Sequence, residues 1–452
     1  MPRTDRTTVP AHTPRFSWRH AALAAHLIGA VGMAQAQSLA ELYQAAQGYD
    51  AAYLAARSQF DANLAKAEQA KAGLRPQAGL AADASWSNRD VLQGGSNTTS
   101  NAQTITLSAS QPLYRPANSA SAQQGELSVE LAKAQLETAE QDLIVRVTQA
   151  YFDVLAAQDS LASVQALKAA VTQQLAAAKR RFEVGSATII DTREAQAQFD
   201  RVSAQEIAAD NDLRIKKLAL DQLVGKNGVA PLGLGKNAAL PSPAPADVNS
   251  WVSQATEQHP AVRQANTALA VAQLETQKAQ AGEKPTVDLF GRYAMGRSPS
   301  TTLPGAYLRA NTATVGVQFN MPLYTGGATQ NRIKETLALE DKARNDIEAA
   351  KRTVAQATRT AYFGILSGLG QVKALEAAET SSQSAVDANK LGYDVGAGTS
   401  IDVLNAQSQL FQVKRDLAQA RYNVLITHLR LKQASGALKA DDLQTVNRLL
   451  AK

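Results

Sequence analysis

The 452-residue chain has no cysteine. That excludes a disulfide framework, a thiolate zinc site, a cysteine nucleophile and a lipid-modified cysteine at a processed N-terminus. Histidine is nearly as scarce. Three of the five histidines lie at positions 12, 20 and 26, and only His259 and His428 remain, far apart in sequence. A histidine metal cluster is not expected, nor any other cofactor. Glycine (27) and proline (15) are too few for a collagen-like or low-complexity chain. There is no glycine-rich phosphate loop and no G-x-S-x-G, so an enzyme is not expected. Charge of one sign is also in short supply: 46 Lys and Arg face 40 Asp and Glu, a formal +6.

Half of that excess belongs to the first 36 residues. Arg3, Arg6, Arg15 and Arg19 precede a short apolar stretch at 21–33, and Ala34-Gln35-Ala36 is a small-x-small cleavage site. This is the pattern of a secretory signal peptide, 1–36. Its apolar stretch is too short to span a bilayer. Without its four Arg and one Asp the rest carries +3. Such a balance gives no argument for nucleic acid. Every later apolar run is soon broken by Gln, Asp, Lys or Arg. An exported chain without a membrane helix is secreted, periplasmic, or inserted as a β-barrel.

What the chain does have is a repeat. Gln111-Pro112-Leu113-Tyr114 recurs as Met321-Pro322-Leu323-Tyr324, and Ala150-Tyr151-Phe152 as Ala361-Tyr362-Phe363. Val184-Gly185 and the Asp191 beyond it recur as Val395-Gly396 and Asp402. Landmarks in one order at nearly constant offset mark a duplication. The expected organisation is a first repeat at 37–226, a Pro/Gly-rich linker at 227–250, a second repeat at 251–436 and a C-terminal segment at 437–452. The linker assignment rests on Pro231, Pro241, Pro243 and Pro245.

Each repeat follows one plan: helix, strand, strand, long helix, returning helix. The opening helix runs over 49–74 or 260–281 and stops near Pro76 or Pro285. Alternation of period two predicts strands at about 77–87, 103–113, 286–296 and 312–322. Leu80, Ala82 and Trp86 share one face, as do Ile105 and Leu107, and Val315, Val317 and Phe319. Those faces carry no charge, and the opposite ones are polar enough for a lumen. The long helices, 117–183 and 328–394, span roughly 100 Å at 1.5 Å per residue. In the first, a heptad seam runs from Leu143 to Phe182 with Lys168 its one charged member. Ile144, Tyr151 and Leu155 sit beside the seam and widen it. In the second, the seam is ragged, with Gly368 and Ser382 among its interruptions. A Val-Gly turn ends each long helix, and a second helix returns over 191–224 or 402–435.

Four strands of barrel length cannot close, and open edges are not tolerated in lipid, so membrane strands would force oligomerisation. The competing reading is a soluble periplasmic coiled-coil adaptor or structural protein.

The leader, the duplicated halves, two strands per half, the long helix and the Val-Gly turn followed by Asp resemble the TolC family of outer-membrane channel-tunnels. The resemblance covers essentially all of the chain beyond the leader. With no cysteine to lipidate, it is to the non-lipidated subgroup serving type I secretion and multidrug efflux. It implies a mainly α fold with a membrane β-barrel portion. Three chains would form a 12-stranded barrel and a coiled-coil α-helical tunnel across the periplasm. It implies an outer-membrane homotrimer in contact with lipid, partnered by a periplasmic adaptor and an inner-membrane transporter. The function implied is a passive exit duct.

The resemblance also implies site residues. Asp191 and Tyr393 fall at members of a closing network between helices of neighbouring subunits. Asp402 falls in a constriction ring at the periplasmic gate. Gly398 stands where the best-known member has a gating Arg, and Asn405 where it has a second ring Asp. A looser closed state with a weaker negative ring follows as an expectation. Val184, Gly185, Val395, Gly396 and Gly398 would form the adaptor-docking tip, with the glycines supplying backbone freedom. From position alone, Asp191 and Asp402 also suit helix N-caps, and Trp86 suits an outer interfacial aromatic belt.

Overall fold

A computed structural model describes residues 37–89, 98–186, 188–235, 238–300 and 306–451. The expected leader, Ala187 and parts of both strand-joining loops lie outside the described residues. The first half comprises α1 (Leu39–Gln47), α2 (Ala51–Ala72), β1 (Gln77–Arg89), β2 (Thr98–Tyr114), α3 (Pro116–Glu183) and α4 (Ile189–Val224). The second comprises α5 (Val248–Gln258), α6 (Pro260–Gln280), β3 (Thr286–Pro299), β4 (Tyr307–Asn320), α7 (Ala328–Asp394) and α8 (Ser400–Ala434). A short α9 (Asp442–Asn447) follows.

The strands form one antiparallel sheet in the order β1-β2-β3-β4. The helices keep that order. Next to the sheet, α2 packs on α3, α3 on α6 and α6 on α7. Further out, α4 and α8 take over from α2 and α6, and the order becomes α4-α3-α8-α7. The handover is tight. A Cβ on Gly225, at the end of α4, would lie 2.3 Å from the Tyr49 ring just before α2. A Cβ on Gly436, after α8, would lie 2.7 Å from the His259 backbone at the start of α6.

The strands run longer than the apolar alternation predicts, because pairing of polar residues continues past it: Ser85 to Arg89 pair with Ala102 to Thr98. At the other end β4 stops at Asn320, short of the expected 322, ahead of Pro322, which has no N–H to donate. Register aligns the apolar faces into rows. Leu80, Leu107, Tyr293 and Ala313 form one, and Ala82, Ile105, Met295 and Asn311 the next. Among the described residues nothing covers this face: Leu80 is 72% exposed and Val315 80%. Gly79, Ser108, Arg292 and Thr314 make a row on the opposite face. There the Phe290 ring lies over its cross-strand partner Gly316, which accounts for an aromatic on the polar side.

Leu143, Val147, Val154, Val164 and Val171 of the α3 seam are buried, and so are Ile144, Tyr151 and Leu155 beside it. The wide stripe serves a helix with neighbours on both sides. Lys168 fits this core by donating to Glu206 on α4 at 2.6 Å. On α7 only Val354, Ile365, Val372 and Val386 of the expected seam are buried. The seam is ragged because α7 is an edge helix, with a partner on one flank only. Gly368 does not interrupt the packing but permits it: a Cβ there would lie 2.9 Å from Val424 on α8.

Two helices, α1 and α5, add to the expected plan. Ser38 and Glu41 close a capping box at α1, and Asp247 accepts from the N–H groups of Asn249 and Ser250 at α5. Nor is 227–250 a free tether. The Tyr151 hydroxyl donates to the Leu232 carbonyl at 2.9 Å, and the equivalent Tyr362 donates to that of Ala246. The repeated Ala-Tyr-Phe motif therefore anchors the connecting segment to both long helices. Val229, Leu438, Leu443 and Leu450 join the same core as Tyr151 and Phe152.

One ion pair ties strand to helix across the two halves. Arg115, capping α3, donates through Nε and Nη2 to both oxygens of Asp288 on β3, at 2.7 and 2.6 Å. Breaking it leaves a largely covered carboxylate without its partner. Arg115→Ala is expected to lower stability by about 1–2 kcal/mol, read as an earlier thermal transition. Unaltered melting would assign the joint to backbone pairing alone.

Candidate gate at the tips of the coiled coils

The two hairpin turns lie at the end of the helical strip remote from the sheet. Gly185 and Gly396 adopt left-handed φ of +71° and +78°, a conformation that costs any other L-residue. Gly398 does not adopt it, a correction to the expectation that all three glycines supply such freedom. Its N–H instead donates to the Gly392 carbonyl at 3.0 Å, closing the end of α7.

The helices returning from the turns start identically. Thr188 and Thr399, not the aspartates, are the N-caps, and Asp191 and Asp402 occupy the third helical position of a capping box. Asp191 Oδ2 accepts from the Thr188 N–H at 2.8 Å and its hydroxyl at 2.7 Å. Asp402 Oδ2 accepts from Thr399 at 3.0 and 2.6 Å. In return each Thr hydroxyl accepts from the aspartate N–H, at 3.2 and 3.3 Å. One oxygen of each carboxylate is thus committed to the helix start, and among the described residues the other has no partner. Asp402 and Asn405 are exposed, Asp191 half-buried. The threonine hydroxyl first, then the threonine N–H, holds each carboxyl below its ordinary value.

Tyr393 does not meet Asp191 within the chain. Its ring lies under the Arg181 guanidinium, 4.3 Å from the centroid. This contact joins the first hairpin to the second. Gln174 donates to the Ser400 hydroxyl at 2.7 Å and Gln198 to that of Ser408 at 3.1 Å, two further ties between the hairpins. Sequence reading passed over these glutamines because isolated polar pairs carry no periodic signal. The tip itself is apolar and open, with Val184 77% and Val395 70% exposed. Trp86 is 71% exposed on the apolar face, toward the loop end of β1. Tyr324 is almost wholly exposed between β4 and α7.

The family model for outer membrane efflux proteins matches residues 42–226 and again 251–437. The chain belongs to that family. It is 33% identical to outer membrane protein TolC of Vibrio cholerae, over 91% of this chain and 93% of the relative. It is 29% identical to the alkaline protease secretion protein AprF of Pseudomonas aeruginosa, over 75% and 71%. Among solved structures, the outer membrane protein VceC of Vibrio cholerae superposes with a TM-score of 0.75 at 18% identity, covering 88% of this chain and 96% of that one. The chain is a TolC-family outer-membrane channel protein, mainly α with a strand portion for a barrel.

The cap geometry sets a pH dependence. A carboxyl with a lowered folded value stabilises its helix start above the unfolded value of 3.8, and that support is lost as pH falls through the lower folded value. Amide exchange in the first turns of α4 and α8, corrected for intrinsic rates, is expected to accelerate only in acid below about pH 4. Thr188→Val and Thr399→Val should each flatten the acid onset in their own helix and raise exchange there at neutral pH. An onset that ignores both substitutions would reject the caps as its origin.

Proposed function

We propose that three copies of the chain assemble into an outer-membrane exit duct that passively conducts small toxic compounds, drugs or type I secreted polypeptides out of the cell. The observation that carries this reading is a sheet with an uncovered apolar face and two unpaired edges, continued by a helical strip that is open at the same two edges. A soluble coiled-coil adaptor or structural protein has no use for such a face. It would expose rows of Leu, Ile, Val and Phe to water.

The edges match one another. On α4, Ile207, Ile215 and Leu218 are exposed along one side, and on α7 so are Phe363 and Leu366. Leu218 and Leu366 both lie about eight turns from the tip ends of their helices. An α4 edge against the α7 edge of a neighbouring copy therefore brings apolar residues together at one height. The same operation pairs β4 with a neighbour's β1, and three copies give a closed 12-stranded barrel.

In that assembly each tip residue becomes a ring of three. Asp402 carries the negative charge of the constriction, its free carboxylate oxygen available to a passing cation. Asn405 adds none, and Gly398 offers no guanidinium for a salt-bridge lock. Closure then rests on Asp191, the Arg181–Tyr393 contact and the hairpin ties. The exposed Val184 and Val395, on their Val-Gly turns, form the docking tip for a periplasmic adaptor, which links the duct to an inner-membrane transporter. AprF, named for alkaline protease secretion, supports polypeptide cargo. No catalytic step enters this reading.

Two measurements test it. Leu218→Glu combined with Leu366→Glu is expected to abolish the trimer in detergent; retention of the trimer would reject the α4–α7 contact. In planar bilayers Asp402→Ala should alter conductance and weaken block by divalent cations, while Asn405→Asp should strengthen the block. No change in either variant would reject the ring.

A further inference from the structure

Arg292, Arg297 and Arg309 on the described strands divide by face. Arg292 lies on the polar face. Arg297 and Arg309 lie on the apolar face, in the row that follows Met295 and Asn311, where they are direct cross-strand partners. Like charges placed opposite each other destabilise a sheet. Among the described residues no ion pair offsets them. The described strands hold two acids, Asp83 and Asp288, and both fall on the other face. Neither arginine takes part in an ion pair among the described residues.

The height of this row is informative. From Val287 to Arg297, β3 climbs about 34 Å at 3.4 Å per residue. At a strand tilt of about 40° that is roughly 26 Å along the barrel axis, close to the ~25 Å apolar band of outer-membrane barrels. Every outward residue of β3 and β4 below the row, from Val287 and Phe319 up to Met295 and Asn311, is uncharged. Trp86 and Tyr307 sit one row beyond it, where interfacial aromatics belong. The arginine pair therefore lies at the level of the outer headgroups.

The local chemistry is specific. The Arg297 guanidinium stacks over the Tyr307 ring at 4.3 Å, which holds it in place yet leaves its in-plane N–H groups free to donate. Gln103, Ile105, Met295 and Asn311 line a shallow cleft of about 460 Å³ with the two arginines, and Asp83, whose register places it on the other face, borders it too. Its membrane side is apolar and its outer side carries amides and guanidiniums. We propose that Arg297 and Arg309 form a binding site for the phosphate of an anionic lipid headgroup in the outer leaflet. Bidentate donation from two guanidiniums matches a phosphate and relieves their mutual repulsion. The acyl chains run down over Ile105 and Met295, and Gln103 and Asn311 meet the headgroup's hydroxyl groups.

The proposal rests on the membrane reading of the sheet, so the test reads the two separately. Full-length protein is extracted from outer membranes, which reports insertion. It is then titrated in detergent with a bis-phosphorylated diglucosamine lipid, its dephosphorylated counterpart and inorganic phosphate. Binding is followed by native mass spectrometry and thermal unfolding. Wild type is expected to retain and be stabilised by the phosphorylated lipid alone. Arg297→Ala and Arg309→Ala should each weaken retention about tenfold, Arg297→Lys combined with Arg309→Lys less, and Arg292→Ala on the other face not at all. Equal binding of the dephosphorylated lipid, full retention by both alanine variants, or equal protection by inorganic phosphate would overturn the proposal. Absence of the wild type from the membrane fraction would instead overturn the duct.

Discussion

The structure depends on one constraint: in hydrocarbon, each backbone N–H and C=O must find a partner. A sheet of four strands in the order β1-β2-β3-β4 satisfies this between its strands and fails at its two edges. The failure is not local. Each strand continues into a helix in the same lateral order, so the helical strip is left open along the same two sides. α3, flanked on both sides, has a wide buried stripe; α7, at the edge, keeps Phe363 and Leu366 exposed. The chain is therefore an incomplete object, and in the proposed trimer copies of itself supply the missing contacts.

The two faces of the sheet obey different solvents. In the proposed barrel the apolar rows meet hydrocarbon, and the Gly79-Ser108-Arg292-Thr314 row faces the enclosed side. The exceptions are instructive. Phe290 sits on the polar face because Gly316 opposite it leaves room for the ring. Asp288 sits there because Arg115 at the start of α3 neutralises it, fixing the angle between strand and helix. Arg297 and Arg309 sit on the apolar face, where the proposed barrel would pass from hydrocarbon to headgroups.

At the opposite end the same residues serve two purposes. Asp191 and Asp402 complete capping boxes with Thr188 and Thr399, which use one carboxylate oxygen each. A structural cap and an exposed negative charge do not compete, because the second oxygen remains free. The position was legible from the repeated Val-Gly turn. The identity of the cap was not, because two polar residues stood near each helix start and only the backbone geometry distinguishes the N-cap from the third position. The Arg181–Tyr393 contact was illegible for a different reason: it joins residues of separate hairpins that no periodicity relates.

By itself the sequence determined the duplication, the four strands, the two long helices, the turns and the apolar faces. Each is a local periodic pattern, written in residues that repeat every two, three or four positions. It also carried the capping box of α1 and the Asp247 N-cap of α5, whose signals are short and easily passed over. Only the tertiary structure decided the lateral order of the strips, the anchoring of 227–250 by Tyr151 and Tyr362, and the raggedness of α7 as the mark of an edge. Those depend on which elements become neighbours, and that is settled by packing and register between residues far apart in the chain.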